Sequence, residues 1–479
     1  MMQDNKQLAI QAIAKKQEEI FCAADTIWDY AELSLQEFRS AAYYCALLER
    51  EGFAVERGIC GIETAFCARF GSGRPYLGIL AEYDALSGLS QQGGVCAPTA
   101  REPGGAGHGC GHNLLGAGAF GAALGVKAYL QQSGASGTVL LYGCPGEEGG
   151  AAKAFMARDG VWRSLDAALT WHPEDCNEII TGGSNACIQV QYSFHGVASH
   201  AAGAPELGRS ALDAVELMNI GVQFLREHMT DDARVHYAML DTGGRSPNVV
   251  QSSASVLYMV RAKHVAQAVQ LQARVDKIAD GAASMTETSY TRTFIDGLAD
   301  CVPNHCLERV MHENFAQLGV PHYTGQELAF AKELAATFPQ AQHIPGTGSR
   351  MRQDYAQQVQ TLQNGAVMND FLLPLFTGEA FRTGSTDVGD VSWLCPTVQC
   401  SVAAFPNGCP GHSWQLVSCG ATSIGKKAAL HAAKVIAATA IDLIEQPQLL
   451  RQAREEFLQA TQSGYVCPIA PDAVPRVAE

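Results

Sequence analysis

The 479 residues carry 48 acidic against 33 basic side chains, a formal charge of −15 at pH 7. A surface this acidic argues against nucleic acid or an anionic membrane as partner, while a local basic pocket could still take an anionic small molecule. With 47% hydrophobic and 17% charged residues the chain reads as globular, and its length exceeds one ordinary core, so two or more domains are expected.

Met1 to Ile20 is polar and amphipathic. Lys6, Lys15, Lys16, Glu18 and Glu19 interrupt any apolar stretch there, so no secretory signal is expected. No apolar run is long enough to span a membrane. Sixteen cysteines in that setting read as reduced thiols of a cytoplasmic protein. Leu8 to Asp29 has helical periodicity, and a second helix is predicted from Arg39 to Glu51. Phe66 to Phe70 and Tyr76 to Leu80 read as strands, the second running into Glu82-Tyr83-Asp84. Asp84, at a strand end, could hold an imidazole in one tautomer or simply form a turn.

A long loop, Ser87 to Gly107, leads into Gly107-His108-Gly109-Cys110-Gly111-His112-Asn113 and a small-residue helix, Leu114 to Gln131. A thiolate and a neutral imidazole are good ligands for a borderline-soft divalent metal. The glycines permit the sharp bend that turns both side chains toward one point. Taken alone, the pair reads better as a buried thiol and a capping turn, and the later stretches change that reading. Val139 to Tyr142 then leads as a strand into Cys144-Pro145-Gly146-Glu147-Glu148. A helix near Ala151 to Arg158 and a strand, Ala167 to Thr170, precede His172. Far downstream, Val398 to Phe405 precedes Pro410-Gly411-His412-Ser413-Trp414. Strand–helix alternation predicts an α/β domain with a mixed, largely parallel sheet and helices on both faces. Ligands of such sheets bind beyond the carboxyl ends of the strands. Cys110 with His112, Glu147 with Glu148, His172 and His412 therefore look like one site gathered from distant parts of the chain.

From Asn185 the texture changes. Ile188 to Phe194, Val235 to Leu240, Ser255 to Val260 and Ser289 to Phe294 read as strands, with helices at Ser210 to His228 and Val265 to Met285. The order β-α-β-β-α-β is ferredoxin-like. It predicts an inserted domain, 185–295, between the two parts, 1–184 and 296–479, of a discontinuous metal-binding domain. Arg261 ends one of its strands and could pair with a carboxylate of the substrate or with one at the surface. Leu307 to Leu318 and Glu327 to Phe338 are expected to be helical. The Gln-rich segment 347–365 reads as a loop, and Ile424 to Glu445 as a long closing helix.

The order Cys-x-His, Glu-Glu, His and a late His resembles the M20 metallopeptidase and amidohydrolase family, in its Cys-His-using branch. Ala81 to Gln92, His108 to Gly116, Gly143 to Gly150, Ser385 to Trp393 and Trp414 to Ser418 extend the resemblance over nearly the whole chain, most weakly at Pro339 to Gly378. It implies a zinc-peptidase-like catalytic domain holding two divalent ions in each copy of the chain, zinc or manganese, on Cys110, His112, Glu148, His172 and His412. It implies that Asp84 orients a ligand and that the inserted domain is a lid and dimerisation domain. By the same resemblance His200, in Gly196-Val197-Ala198-Ser199-His200, stabilises a developing oxyanion, and Asn248, in Gly243-Gly244-Arg245-Ser246-Pro247-Asn248, meets the substrate's carboxyl group. Two departures stand out. Glu82 occupies a position where many members carry a metal-binding His, and Asn113 one where Asp is frequent.

Neighbouring side chains leaving a strand point in different directions. One glutamate of the pair can therefore bind metal while the other faces the substrate, and we assign the general base to Glu147, with the reverse order as the alternative. The activity implied is a metal-dependent amidohydrolase that cuts p-aminobenzoyl-glutamate, a folate breakdown product, working as a homodimer or in complex with a related second chain. Two other readings are hydrolysis of a different N-acyl amino acid or dipeptide, and a non-catalytic binding or scaffolding component of a hydrolase complex. The last has no chemical need for all of Cys110, His112, Glu147, Glu148, His172 and His412.

Overall fold

The structure is a computed structural model and describes residues 4–339, 343–346 and 352–476. In chain order the main strands are Ala54–Arg57 (β1), Phe66–Ser72 (β2), Tyr76–Ala81 (β3), Gly137–Gly143 (β4), Ala167–Glu174 (β5), Glu178–Ile180 (β6), Ala186–His195 (β7), Arg234–Asp241 (β8), Ser253–Ala262 (β9), Ser289–Leu298 (β10) and Thr397–Ala403 (β11). By internal contacts the described residues divide into two units. One lies within Met1–Gly183, Val302–Thr383 and Val391–Tyr465, the other within Ser184–Cys301, Gly384–Asp390 and Val466–Glu479.

The first unit is built on a sheet ordered β1-β2-β4-β3-β5-β11-β6. Its centre, β4-β3-β5-β11, is parallel, and β2 and β6 join antiparallel at either side. Parallel strands buried on both faces read as continuous apolar runs. Leu77, Ile79 and Leu80 of β3, Val139 and Leu141 of β4, and Val398, Cys400 and Val402 of β11 are all buried. Four parallel strands share one carboxyl end, and this is where the site assembles. The helix His112–Ser133 is buried along most of its length and packs against Ser423–Glu445. Apolar residues surround it on all sides, as a helix in the middle of a core requires.

Three local expectations change. The N-terminal helix is two helices, Asp4–Lys15 and Gln17–Tyr30, parted at Lys16 (φ −97°, ψ 8°). The apolar spacing bridges that break, because Ile13 and Ile20 both stay buried in one core. Strand β1 has no counterpart in the apolar pattern, because of its four residues only Val55 is even half-buried. The segment 347–365 is not a loop throughout. Gln353–Gln363 is a helix that buries Tyr355 and Val359, two anchors too few to stand out among glutamines. Residues 347–351 lie outside the described residues.

The second unit holds a four-stranded antiparallel sheet ordered β10-β7-β9-β8. The helices Ala211–Leu225 and Val265–Thr286 fall between its strands in a β-α-β-β-α-β sequence. Ile188, Val190, Tyr192 and Phe194 alternate inward along β7, and Val256, Tyr258 and Val260 along β9.

Candidate metal centre

The glycine turn sets the first two donors. Gly111 sits at φ +79°, and a Cβ there would meet Pro173 Cγ at 2.7 Å, so only glycine lets the chain pass from Cys110 into the helix beginning at His112. The Nδ1 of His112 lies 2.8 Å from Asp84 Oδ1. Asp84 is fixed in turn by the Ser34 hydroxyl and the Glu148 amide, each 2.9 Å from Oδ2. With Nδ1 donating to Asp84, the lone pair of Nε2 is presented to the site. That nitrogen is buried and has no hydrogen-bond partner.

His172 belongs to β5 itself and does not follow it as expected. Its Nε2 is 3.4 Å from Cys110 Sγ, and its Nδ1 is 3.0 Å from the Pro173 carbonyl and 3.4 Å from Glu174 Oε1. His412 is held beside the same turn by its amide, which donates to the Gly109 carbonyl at 3.0 Å. Its Nε2 lies 3.3 Å from Glu148 Oε1. Two groups of donor atoms result, each within 4.8 Å: Cys110 with His112 and His172, and Cys110 with Glu148 and His412. Cys110 is common to both. A thiolate shared between two clusters of imidazole and carboxylate, with an orphaned buried imidazole nitrogen facing in, fits a pair of divalent ions.

The charges agree with that fit. Burial alone would raise the Cys110 thiol, but the imidazoles of His112 and His172 outweigh it and bring the group down to about 7. Burial also opposes ionisation of Asp84, and His112 overcomes it, leaving the carboxyl at about 2. His112 and His172 rise well above their ordinary range despite burial, chiefly because the Cys110 sulfur faces them. Contacts to Cys110 and Glu148 lift His412 to about 10. The thiolate and carboxylates are thus held in the state a cation requires, and the imidazoles give up their extra proton when a cation takes its place among them.

The other expected site residues divide in two. Glu147 joins Glu82 and His112 in a third group of donor atoms within 4.8 Å. His200, Asn248 and Arg261 lie in the second unit. The Nδ1 of His200 accepts from the amides of Ala202 and Gly203 at 3.2 and 3.1 Å, which in the neutral ring leaves the proton, and a donor, on Nε2. The Asn248 carbonyl accepts from the Ala201 amide. Arg261 reaches the Ser385 hydroxyl at 3.0 Å.

Sequence reasoning misses two residues next to the donors. Lys153 is fully buried, with Nζ 2.7 Å from Glu82 Oε1. Its only signal is a single lysine inside the apolar run Ala151 to Ala157. Glu37, also fully buried, accepts from the Gly146 amide at 2.8 Å and so grips the turn that carries Glu147 and Glu148. Nothing in its local sequence separates it from a surface glutamate.

This donor set, at the carboxyl ends of a parallel sheet, is that of an amide-bond hydrolase working with divalent metals. Residues 78–362 match peptidase family M20/M25/M40, and the chain belongs to that family. It is 45% identical over 474 residues, 98% of this chain and 97% of the relative, to the B component of the p-aminobenzoyl-glutamate hydrolase of Escherichia coli strain K12. Two solved structures share its fold. An aminobenzoyl-glutamate utilization protein from Klebsiella pneumoniae superposes with a TM-score of 0.58 at 16% identity, covering 89% of this chain and 97% of that one. A dinuclear metal-binding peptidase of family M20 from Bacillus subtilis gives 0.54 at 15%, covering 90% and 99%.

Proposed function

We propose that this chain hydrolyses p-aminobenzoyl-glutamate to p-aminobenzoate and glutamate, and that Glu147 is its general base. The observation that carries the reading is the sharing of Cys110 between two donor groups, with Glu147 in a third group beside His112. The substrate rests on 45% identity, across both chains, to a relative named for it. Cys110, His112, Glu148, His172 and His412 would hold two divalent ions, zinc or manganese. Ions bound there supply Lewis acidity, polarising an amide carbonyl and making water at the site easier to deprotonate. Asp84 keeps His112 in the tautomer whose Nε2 faces the donors. Glu147 takes the proton from the attacking water and gives it to the departing amine nitrogen, which would otherwise leave as a poor anion. His200, Asn248 and Arg261 are assigned to holding the substrate, His200 at the carbonyl oxygen and the other two at the carboxyl groups.

The protein would work as a homodimer or with a related second chain. It would do so in the cytoplasm, where its sixteen cysteines remain thiols. No described helix is long and apolar enough to cross a membrane.

The test is glutamate release from p-aminobenzoyl-glutamate by the parent, Glu147→Gln and Glu148→Gln, with bound metal measured in each. Loss of general-base catalysis costs about 10²–10⁴ in rate. Glu147→Gln should lose that much kcat and keep its metal, whereas Glu148→Gln should lose metal. The reverse pattern would exchange the two roles. A parent that releases no glutamate, with metal and with its related second chain present, would sink the substrate.

A further inference from the structure

Glu82 and Lys153 form a buried ion pair beside the metal donors, and neither is among the five proposed ligands. Lys153 Nζ holds Glu82 Oε1 at 2.7 Å, with both side chains essentially inaccessible to solvent. The other oxygen, Oε2, stands 3.3 Å from His112 Nε2 without making a hydrogen bond to it. Glu82, His112 and Glu147 make a donor group whose atoms lie within 4.8 Å of one another, as do those of the two that contain Cys110, and Glu82 is in neither of those. His112 Nε2 is thus contested. It can serve the centre with Cys110 and His172, or a cation seated between Glu82 and Glu147. A cation in the second place would draw on His112, leave Cys110 and His172 to hold the first ion, and occupy the carboxylate proposed as the base.

We propose that Lys153 is a positioning residue whose ammonium stands in for that cation, keeping His112 turned to Cys110 and reserving Glu147 for the proton. The inference rests on the metal centre and base described above. A buried carboxylate that loses its counter-charge takes up a proton or a cation. The carboxylate and imidazole facing each other here offer a cation two donors, and Glu147 offers a third. Lysine suits the task because its point charge on a flexible stem satisfies one carboxylate oxygen without itself being a ligand.

The experiment measures Mn²⁺ bound per chain by equilibrium dialysis, with kcat as a second readout. Lys153→Met should bind one more Mn²⁺ than the parent and lose activity as Mn²⁺ is raised, at concentrations that leave the parent unaffected. Lys153→Met combined with Glu82→Gln removes both charges and should return to the parent's stoichiometry. Lys153→Arg, which keeps the charge, should match the parent. If Lys153→Met does not fold, Glu82→Gln alone gives the opposite sign: the Lys153 charge, no longer balanced by Glu82, should weaken Mn²⁺ binding at least tenfold. Equal stoichiometry in the parent and Lys153→Met, or unchanged affinity in Glu82→Gln, would overturn the proposal and leave the metal centre standing. A parent that binds no Mn²⁺ would overturn both.

Discussion

Glu37 shows how one side chain can couple the stability of this protein to pH. It is fully buried, accepts from the Leu35 and Gly146 amides at 2.9 and 2.8 Å, and lies 3.1 Å from the Thr64 hydroxyl. Burial, and then the charge of Asp84, push its carboxyl from 4.5 up to about 8. Between those values the folded chain keeps a proton that the unfolded chain has released. Its contribution to stability is therefore present in full below pH 4.5 and is lost as pH rises toward 8. Glutamine mimics the protonated acid, with an oxygen for the two amides and an NH₂ for Thr64. Urea unfolding of the parent and Glu37→Gln at pH 5, 6.5 and 8 should show the parent losing ground at up to about 1.4 kcal/mol per pH unit relative to the variant. Parallel profiles would mean that Glu37 is ionised in the fold. Glu37→Ala, which frees the Gly146 amide, should be less stable than either.

At the scale of elements, the helix His112–Ser133 depends on glycines where neighbours press against it. A Cβ on Gly118 would lie 2.6 Å from Trp171 Nε1. The indole cannot retreat, because it is fully buried and donates to the Leu115 carbonyl of that same helix at 2.9 Å. Trp171 also immediately precedes His172. Gly118→Ala should therefore cost about 1–3 kcal/mol by overpacking and weaken metal binding. Gly281, in the helix Val265–Thr286, has nothing within 4 Å of a built Cβ. Gly281→Ala should stabilise by about 0.5–1 kcal/mol, through helix propensity alone. Equal effects in a thermal melt would refute the packing argument. The same contrast explains what the sequence reveals. The four parallel strands are legible because burial on both faces demands unbroken apolar runs, and the Cys-x-His and Glu-Glu turns because their donors are adjacent in the chain. β1 and Gln353–Gln363 bury too little to leave a pattern. Lys153 and Glu37 are illegible as site neighbours, since each meets the donors through a contact between distant segments.

For the molecule as a whole, the second unit presents features that bear on assembly. Strand β8 lies at the edge of its sheet with one neighbour, β9, and Tyr237, Met239 and Leu240 on it are exposed. The helix Ala211–Leu225 exposes Ile220 and Phe224, four residues apart and so on one face, Phe224 at 72%. An open edge is a template for pairing with another strand, and a two-fold axis would use each exposed residue twice. Burying an Ile or Phe is worth about 1.5–3 kcal/mol, and each 1.4 kcal/mol is about tenfold in affinity. Ile220→Asp with Phe224→Asp, counted on both copies, should therefore weaken a homodimer by at least about a thousandfold. Sedimentation velocity at micromolar protein should find the parent as a dimer and the double variant as a monomer. The charge of −15 on each copy adds a second signature. Like-charged copies repel, and salt screens that repulsion. Parent association should thus strengthen between about 0.03 and 0.3 M NaCl, whereas a dimer held by ion pairs would weaken. A parent that stays monomeric at both salt concentrations would refute self-pairing and leave a related second chain as the partner for this edge.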